Sequence, residues 1–212
     1  EPTQQTVVWD LADDNEIKTI VEESGLEYQP AAVPSKQEKT SISNASCIQH
    51  TETNSSNSNF GIVTYYTVSA FTQKALEAGA HQANNNDCVV FNLGNTGTAT
   101  MKTPTLVRGK YKVFLDVVYT STQSFMRVKS DGSGGTLEVS FDGKDKKYVA
   151  PYTQVTSVFP GVYTTTLLDE IEFDSTSSHT FTFKVKDGAA TSNKNFSLQF
   201  DTITFVPVPV KD

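Results

Sequence analysis

The sequence is poor in the side chains on which metal sites and nucleophilic catalytic sites are built. Its 212 residues contain two cysteines, Cys47 and Cys88, and three histidines, His50, His81 and His179. These residues do not follow the ligand spacing of a zinc site. Three scattered histidines also do not define a Ser-His-Asp or Cys-His arrangement. The sequence therefore predicts no metal site and no catalytic residues, and we expect that the protein is not an enzyme.

The two cysteines leave two arrangements open. Cys47 and Cys88 could form a disulfide if their strands are neighbours, since a disulfide requires a short Cα separation. They could equally be two buried thiols that behave as small apolar side chains.

Long apolar runs and an excess of basic charge are also missing. No stretch approaches the 18 or so apolar residues of a membrane span, so we expect no transmembrane segment. The net charge of −7 argues against nucleic acid as a partner, because nucleic-acid binding rests on a concentrated basic surface. The chain begins at "EPTQQ", as a mature exported protein would, and we expect an exported protein.

Residues 1–35 are predicted to form a helical segment distinct from the rest. An aspartate at position 13 or 14 can cap the helix. The apolar residues that follow repeat at helical spacing: Ile17, Ile20 and Val21. Such a short helix must dock on another surface, and we expect Trp9 to anchor it there.

From residue 36 onwards the apolar pattern has a period of two, which predicts β-strands. The predicted strands lie near 41–49, 61–71, 87–94, 108–122, 136–150, 162–173, 179–187 and 195–208, with a short helical turn within 73–80. Asp142-Gly143 predicts a tight hairpin turn. The strand 162–173 is expected to be interrupted near Asp169, and a change of parity predicts a bulge between Phe200 and Thr202. The fold class is all-β: an antiparallel jelly-roll sandwich over residues 36–212.

Four segments of this region carry a resemblance to a known family. "GKYKVFLDV", "GGTLEVSFDGK", "HTFTFKVKD" and "FSLQFDTITF" together resemble family 6 and related carbohydrate-binding modules. They are also similar to the C-terminal jelly roll of fasciclin-type surface lipoproteins of Bacteroidetes. The resemblance covers roughly residues 85–206. It implies a galactose-binding-like sandwich that binds polysaccharide without catalysis, in an outer-membrane lipoprotein at the cell surface.

Carried over by position, the resemblance places family site residues in the closing strand. Gln199 stands where the family has a sugar-binding Asn, and Asp201 matches the family's Asp, whereas Thr202 replaces an aromatic residue. In the family, this Asp and an acidic residue of the first strand frame a structural calcium ion. The Glu-Ala-Glu first strand of the family is absent here, so we expect no cofactor.

Glycan sites combine a flat aromatic ring with amides or carboxylates that bind hydroxyl groups. Tyr65 and Tyr66 are adjacent in a predicted strand, so one of them faces outward and could stack on a sugar. Asn84, Asn85 and Asn86 could surround the sugar as amide ligands. Each group also has an ordinary structural role, the tyrosine as a surface residue and the asparagines as a turn.

Two other functions compete with glycan binding. The sandwich could be a structural or adhesion module that docks another surface protein or an upstream domain, which a large apolar patch around Trp9 would favour. It could also be a hydrolase, which two carboxylates facing each other across a cleft would favour.

Overall fold

The computed structural model describes most of the predicted sandwich region. The described residues are 2–14, 37–41, 48–49, 62–67, 72–84, 87–92, 98–119, 136–157, 159–186 and 197–210. In 37–41, 48–49 and 62–67, and at several other strand positions, only the backbone is described. The helix expected from Asp14 onwards, Cys47, His50, Asn85 and Asn86 lie outside these residues.

Twelve strands make up the described fold. They are β1 (Val7–Asp10), β2 (Gln37–Ser41), β3 (Ile48–Gln49), β4 (Ile62–Thr67), β5 (Asp87–Asn92), β6 (Thr98–Lys102), β7 (Gly109–Tyr119), β8 (Thr136–Phe141), β9 (Lys144–Val149), β10 (Gly161–Phe173), β11 (Thr180–Lys186) and β12 (Ser197–Pro207). Helix α1 (Gln73–Glu77) and two 3₁₀ turns (Leu11–Asp13 and Pro151–Gln154) complete them. None of the described helices is long and apolar enough to span a membrane.

The strands form two antiparallel sheets. The seven-stranded sheet has the order β10-β7-β12-β5-β4-β2, and β1 pairs with β12 as well. The five-stranded sheet has the order β3-β6-β11-β8-β9. Apolar side chains of both sheets meet in one core. The predicted fold class, an antiparallel β-sandwich, is confirmed.

Alternation of side chains explains how each sheet contributes to this core. In β7 the side chains of Tyr111, Val113, Leu115 and Val117 are buried, because successive residues of a strand point to opposite faces. Aromatic rings join the two sheets, as between Phe141 and Phe173, whose centroids are 5.4 Å apart, and between Phe183 and Phe200 at 5.5 Å. Aromatic pairs at this spacing stabilise the core beyond the area that they bury.

Two local predictions are confirmed at the level of the backbone. Asp142 and Gly143 join β8 to β9, and both have positive φ, 53° and 72°, as a two-residue hairpin turn requires. The register of β12 against β7 shifts between Phe200 and Ile203, which is the bulge expected from the change of parity.

The structure differs from the sequence-based prediction in two strands. Residues 162–173 form one strand, β10, in which two register shifts, between Thr166 and Leu168 and between Leu168 and Ile171, absorb the expected interruption. The predicted edge strand at 41–49 is two short strands, β2 and β3, which belong to different sheets.

Part of the segment expected to be helical belongs to the sandwich. Val7–Asp10 is a strand that pairs with Thr202–Phe205 of β12. Trp9 is only 2% exposed. Its indole Nε1 donates a hydrogen bond to Asp14 Oδ2 at 2.9 Å, and its ring meets Phe181 edge-on. Trp9 therefore anchors a strand of the sandwich. It is part of the core and does not form the exposed apolar patch that would favour docking of another protein.

Residues 72–84 pack against the seven-stranded sheet: Ala75 and Ala80 join the main core, whereas Ala83 covers part of the outer face. Helix α1 begins after Thr72, whose side chain accepts a hydrogen bond from the Ala75 N–H. Further along, His81 makes an isolated bridge with Val162. A small second apolar cluster lies beneath the segment: Ala83, Cys88, Val118 and Val162. Cys88 is buried here, and its pairing with Cys47 stays a prediction.

Candidate functional site

Three sequence-distant residues meet beside the covered face of the seven-stranded sheet. The backbone N–H of Asn84 donates to Asp201 Oδ2 at 3.0 Å, and the Asn84 side-chain amide donates to Asp10 Oδ2 at 2.9 Å. Asp10 is the last residue of β1 and lies opposite Thr202, next to Asp201 in β12. We call Asp10, Asn84 and Asp201 the acidic cluster.

Asp201 is the electrostatically unusual member of the acidic cluster. Its side chain is 1% exposed, and Oδ1 has no hydrogen-bond partner in the described part of the chain. Burial, and after it the charges of Asp10 and Asp116, raise the pKa of Asp201 to about 8. A buried carboxylate in such surroundings is stable only if a proton or a cation neutralises it.

A second polar pair lies near the acidic cluster. His81 Nε2 is 3.2 Å from Asp116 Oδ2. The hydrogen bond with Asp116 raises the pKa of His81 to about 8, although burial opposes the shift. Burial also works against ionisation of Asp116, but the hydrogen bonds from His81 and Thr164 outweigh it and lower the pKa of that carboxyl. The pair is therefore an ion pair at neutral pH.

The acidic cluster is the place to test the calcium ion that the family resemblance implies. Asp201 Oδ1 is a buried oxygen that accepts no hydrogen bond from the described residues. The Glu-Ala-Glu first strand of the family is absent, but Asp10 places an acidic residue in the first strand of this sandwich. Calcium takes six to eight oxygen ligands, and the described residues contain no group of three His, Cys, Asp or Glu side chains suited to a metal. Asp201 and Asp10 would supply only two carboxylates of the ligand set of such an ion, which would hold β1 against β12.

Of the predicted sugar-binding residues, the structure describes the side chains of Asn84 and Gln199. Asn84 is exposed, and its backbone N–H and its side-chain amide each donate a hydrogen bond within the acidic cluster. Gln199 is 8% exposed, with Oε1 buried and without a partner among the described residues. Tyr65 lies opposite Val89 and Tyr66 opposite Cys88, and their side chains are not described. Ligand binding by Tyr65, Tyr66, Asn84, Asn85, Asn86 and Gln199 stays a prediction.

An exposed aromatic ring lies on the other sheet, at Tyr148. Its side chain is 61% exposed, and it is the one tyrosine, phenylalanine or tryptophan among the large exposed side chains of the described residues. Tyr148 lies in β9 and is paired with Glu138 of β8. The sequence analysis missed it because the lysines of "KDKKY" mask the alternation. Its exposure could have been predicted from alternation along the strand, because Tyr148 is adjacent to the partly buried Val149 and so points to the opposite face.

Polar side chains surround Tyr148 on the outer face of the five-stranded sheet. In one cross-strand row, Lys184 of β11 lies opposite Glu138, which in turn lies opposite Tyr148. Lys146 Nζ is 3.4 Å from Glu138 Oε1. In the next row, the hydroxyl groups of Thr100 and Thr182 are 3.2 Å apart. We call Glu138, Lys146, Tyr148, Thr182 and Lys184 the tyrosine platform.

A cleft of about 440 Å³ opens at the edge of the sandwich, between β9 and β10. Lys144 and Lys147 line it on one side, and Glu170 and Glu172 on the other. Hydrolysis of a glycosidic bond requires two carboxyl groups that flank the bond. Lys144 and Lys147 stand opposite these carboxylates, and Asp142, which lines the cleft on the lysine side, is held by His179 and the Thr180 N–H. The cleft therefore gives no support for a hydrolase.

One end of this cleft holds a Ser-His-Asp chain of contacts. His179 Nδ1 is 2.6 Å from Asp142 Oδ2, and His179 Nε2 is 3.4 Å from Ser177 Oγ. Nε2 also lies 3.2 Å from the carbonyl oxygen of Ser175. The imidazole is 4% exposed and stacks on Phe173 with centroids 4.3 Å apart.

The contacts around His179 suit a structural role. A serine nucleophile needs N–H donors for the oxyanion. The N–H of Ser177 donates to the Leu106 carbonyl, and the N–H of His179 donates to Thr103 Oγ1. Asp142 also accepts from the Thr180 N–H at 2.9 Å. The network therefore fastens the β8–β9 turn to the start of β11.

The fold and its surfaces define a β-sandwich with a buried acidic cluster and an exposed tyrosine platform. The chain belongs to the family of the domain of unknown function DUF5108, whose model matches residues 35–208. β1, with Asp10, precedes the matched region. No curated protein matches the sequence.

Several solved structures are similar to parts of the chain. A family 35 carbohydrate-binding module from Clostridium thermocellum is 6% identical with a TM-score of 0.37, over 69% of this chain and 92% of that one. Paenibacillus xanthan lyase is 17% identical with a TM-score of 0.43, over 86% of this chain. A family GH115 4-O-methyl-α-glucuronidase with specificity for decorated arabinogalactans is 14% identical with a TM-score of 0.39, over 61% of this chain.

The chain spans only 14% of the length of the lyase and 17% of that of the glucuronidase. All of these identities are low, so the similarity concerns the fold alone.

Proposed function

We propose that the protein binds carbohydrate, without catalysis, on the tyrosine platform. The observation that carries the proposal is the exposed ring of Tyr148 on a sheet face with hydroxyl, carboxylate and ammonium groups beside it. An aromatic ring packs against the apolar face of a pyranose. Hydroxyl and charged side chains supply the donors and acceptors that a sugar's hydroxyl groups need.

The arrangement of these groups supports an extended ligand. Neighbouring strands are about 4.8 Å apart, so Lys184, two strands away from Tyr148 in the same row, lies about 10 Å from it, roughly the span of two sugar rings. The row is polar from end to end, and the open sheet face imposes no closed pocket. A polysaccharide chain fits such a surface better than a single small molecule does.

Affinity electrophoresis of the protein in gels that contain single polysaccharides tests this proposal. Tyr148→Ala should weaken binding at least about fivefold, since stacking on an aromatic ring contributes on the order of 1 kcal/mol or more. Tyr148→Phe should retain most of the affinity because the ring remains. Leu76→Ala, which removes another partly exposed apolar side chain, is the matched control and should bind like the wild type. Unchanged binding by Tyr148→Ala would exclude the tyrosine platform.

We also propose that this binding takes place at the bacterial cell surface, as part of an exported lipoprotein. The proposal rests on the resemblance to surface jelly rolls described above. Protease treatment of intact cells that express the protein tests it. Loss of the protein from intact cells supports the surface location, and protection until the cells are lysed contradicts it.

A further inference from the structure

We propose that the carbohydrate bound by the tyrosine platform is anionic, a polysaccharide whose sugars carry carboxylate or sulfate groups. This inference rests on the proposed function and adds the chemical class of the ligand. It starts from the sign of the charges on one face of the sandwich.

The tyrosine platform is basic although the protein as a whole is acidic. The chain has a net charge of −7, yet the platform contains two lysines, Lys146 and Lys184, and one acid, Glu138. The Glu138 carboxylate is only 17% exposed and is engaged by Lys146. The charge that remains for a ligand is therefore positive.

Lys184 carries most of this excess charge. Among the described residues, no acidic side chain forms an ion pair with its ammonium group, and Glu138, its neighbour in the row, is paired with Lys146. Lys102, further along the same face, borders a groove that Asp10, Asp13 and Asp14 also line, so its charge is not part of the excess. Lys146 and Lys184 are therefore the two ammonium groups beside Tyr148.

The side chains alternate so that this positive charge and the ring face the same way. Phe181 and Phe183 of β11 point into the core, and Thr182 and Lys184, of the opposite parity, point outward. In β8, Leu137 and Val139 are likewise buried, and Glu138 faces out between them. A sugar stacked on Tyr148 would therefore place an acidic substituent of the same or the next residue within reach of Lys146 or Lys184.

Matched polymers test the inference. The wild-type protein is titrated by calorimetry with polygalacturonate and with the same polymer after full methyl esterification, which keeps the sugar backbone and removes the charge. The same titration with dextran sulfate and with dextran tests sulfate groups, so the two pairs of polymers together show whether carboxylate or sulfate is recognised. Polyglutamate serves as an anion without sugar rings.

The expected result is binding of at least one anionic polysaccharide and at least about tenfold weaker binding of its neutral counterpart. Raising the salt concentration from 20 to 500 mM should weaken binding severalfold, since exposed charges are screened. Lys184→Gln should weaken binding of the anionic polymer severalfold, and Lys74→Gln, an exposed lysine of α1, should not. Tyr148→Ala should weaken binding of the anionic polymer and of its neutral counterpart by the same factor, at least about fivefold.

Three outcomes would overturn the inference, and they are distinguishable. Equal affinity for the charged and the neutral polymer would show a neutral glycan site, so the proposed function would stand and the anionic ligand would not. Binding of polyglutamate as tight as that of the polysaccharides would show simple charge attraction. Binding of neither kind of polysaccharide in this series or in the electrophoresis series would overturn both proposals.

Discussion

The network at Asp142 provides the sharpest test of the structure. Asp142 accepts hydrogen bonds from His179 Nδ1 at 2.6 Å and from the Thr180 N–H at 2.9 Å, and its φ of 53° lies in the left-handed region. Asp142→Ala removes both acceptors and places a less tolerant residue at that φ. The orphaned donor on the buried His179 should cost about 1–3 kcal/mol, and the left-handed backbone about 1 kcal/mol more.

We therefore expect Asp142→Ala to lower the free energy of unfolding by about 3 kcal/mol in urea denaturation at pH 7. Asp142→Asn should cost only about 1 kcal/mol, because asparagine tolerates positive φ and retains an acceptor for Thr180 while losing the charge. Ser177→Ala is the control and should cost less than about 1 kcal/mol, because its contact with His179 is long. A cost below about 0.5 kcal/mol for Asp142→Ala, or equal costs for both Asp142 variants, would refute the reasoning.

The same residue sets a pH dependence. Burial opposes ionisation of Asp142, but the hydrogen bonds from His179 and Thr180 outweigh it, so the pKa of this carboxyl lies below its ordinary value of 3.8. The stabilisation is then fully present above about pH 4 and is lost as the pH falls through the lower, folded-state pKa. The difference in free energy of unfolding between the wild type and Asp142→Asn should shrink below pH 4. A difference that stays constant to pH 2.5 would contradict this assignment.

Two further predictions concern the acidic cluster and the seven-stranded sheet. Millimolar calcium should raise the Tm of the wild type by several degrees over its value in EDTA, since a ligand of the folded state stabilises it. Calcium should leave the Tm of Asp201→Asn unchanged. If the Tm of the wild type does not shift, a proton and not calcium neutralises Asp201. Gly161→Ala would place its Cβ 2.4 Å from Ala80 Cβ and should cost about 1–3 kcal/mol in urea denaturation. Gly143→Ala, with nothing within 4 Å but a φ of +72°, should cost about 1 kcal/mol. A negligible cost for Gly161→Ala would show that residues 72–84 do not pack closely on β10.

Strands with strict alternation could be predicted from the sequence. Tyr111, Val113, Leu115 and Val117 alternate as buried apolar residues in β7, as do Phe181 and Phe183 in β11. The hairpin at Asp142-Gly143 and the bulge after Phe200 follow from turn chemistry and parity. β1 could not be predicted in this way. It is four residues long, and its partner in β12 lies almost 200 residues further along the chain, so no local pattern identifies the pairing.

The candidate site was harder to predict than the fold. The acidic cluster draws Asp10, Asn84 and Asp201 from three separate segments. The sequence analysis marked Asp201 by resemblance and Asn84 as a sugar-binding amide, but it did not mark Asp10 and did not bring the three together. Tyr148 lies in a strand whose lysines outweigh its apolar residues, so composition indicates a solvated turn. Whether a tyrosine is exposed depends on which neighbours pack over it, and a single sequence does not encode that locally.

The position of β12 has a consequence for how the protein is made. β12 (Ser197–Pro207) lies between β7 and β5 and also receives β1. Among the described strands of this sheet, β12 alone joins those from the first part of the chain to those from the middle. A ribosome that has synthesised residues up to about 190 presents a sheet without its central strand. The earlier strands must wait with unpaired edges and an uncovered apolar face, a state that favours aggregation. We therefore expect the nascent chain to be prone to aggregation until β12 emerges.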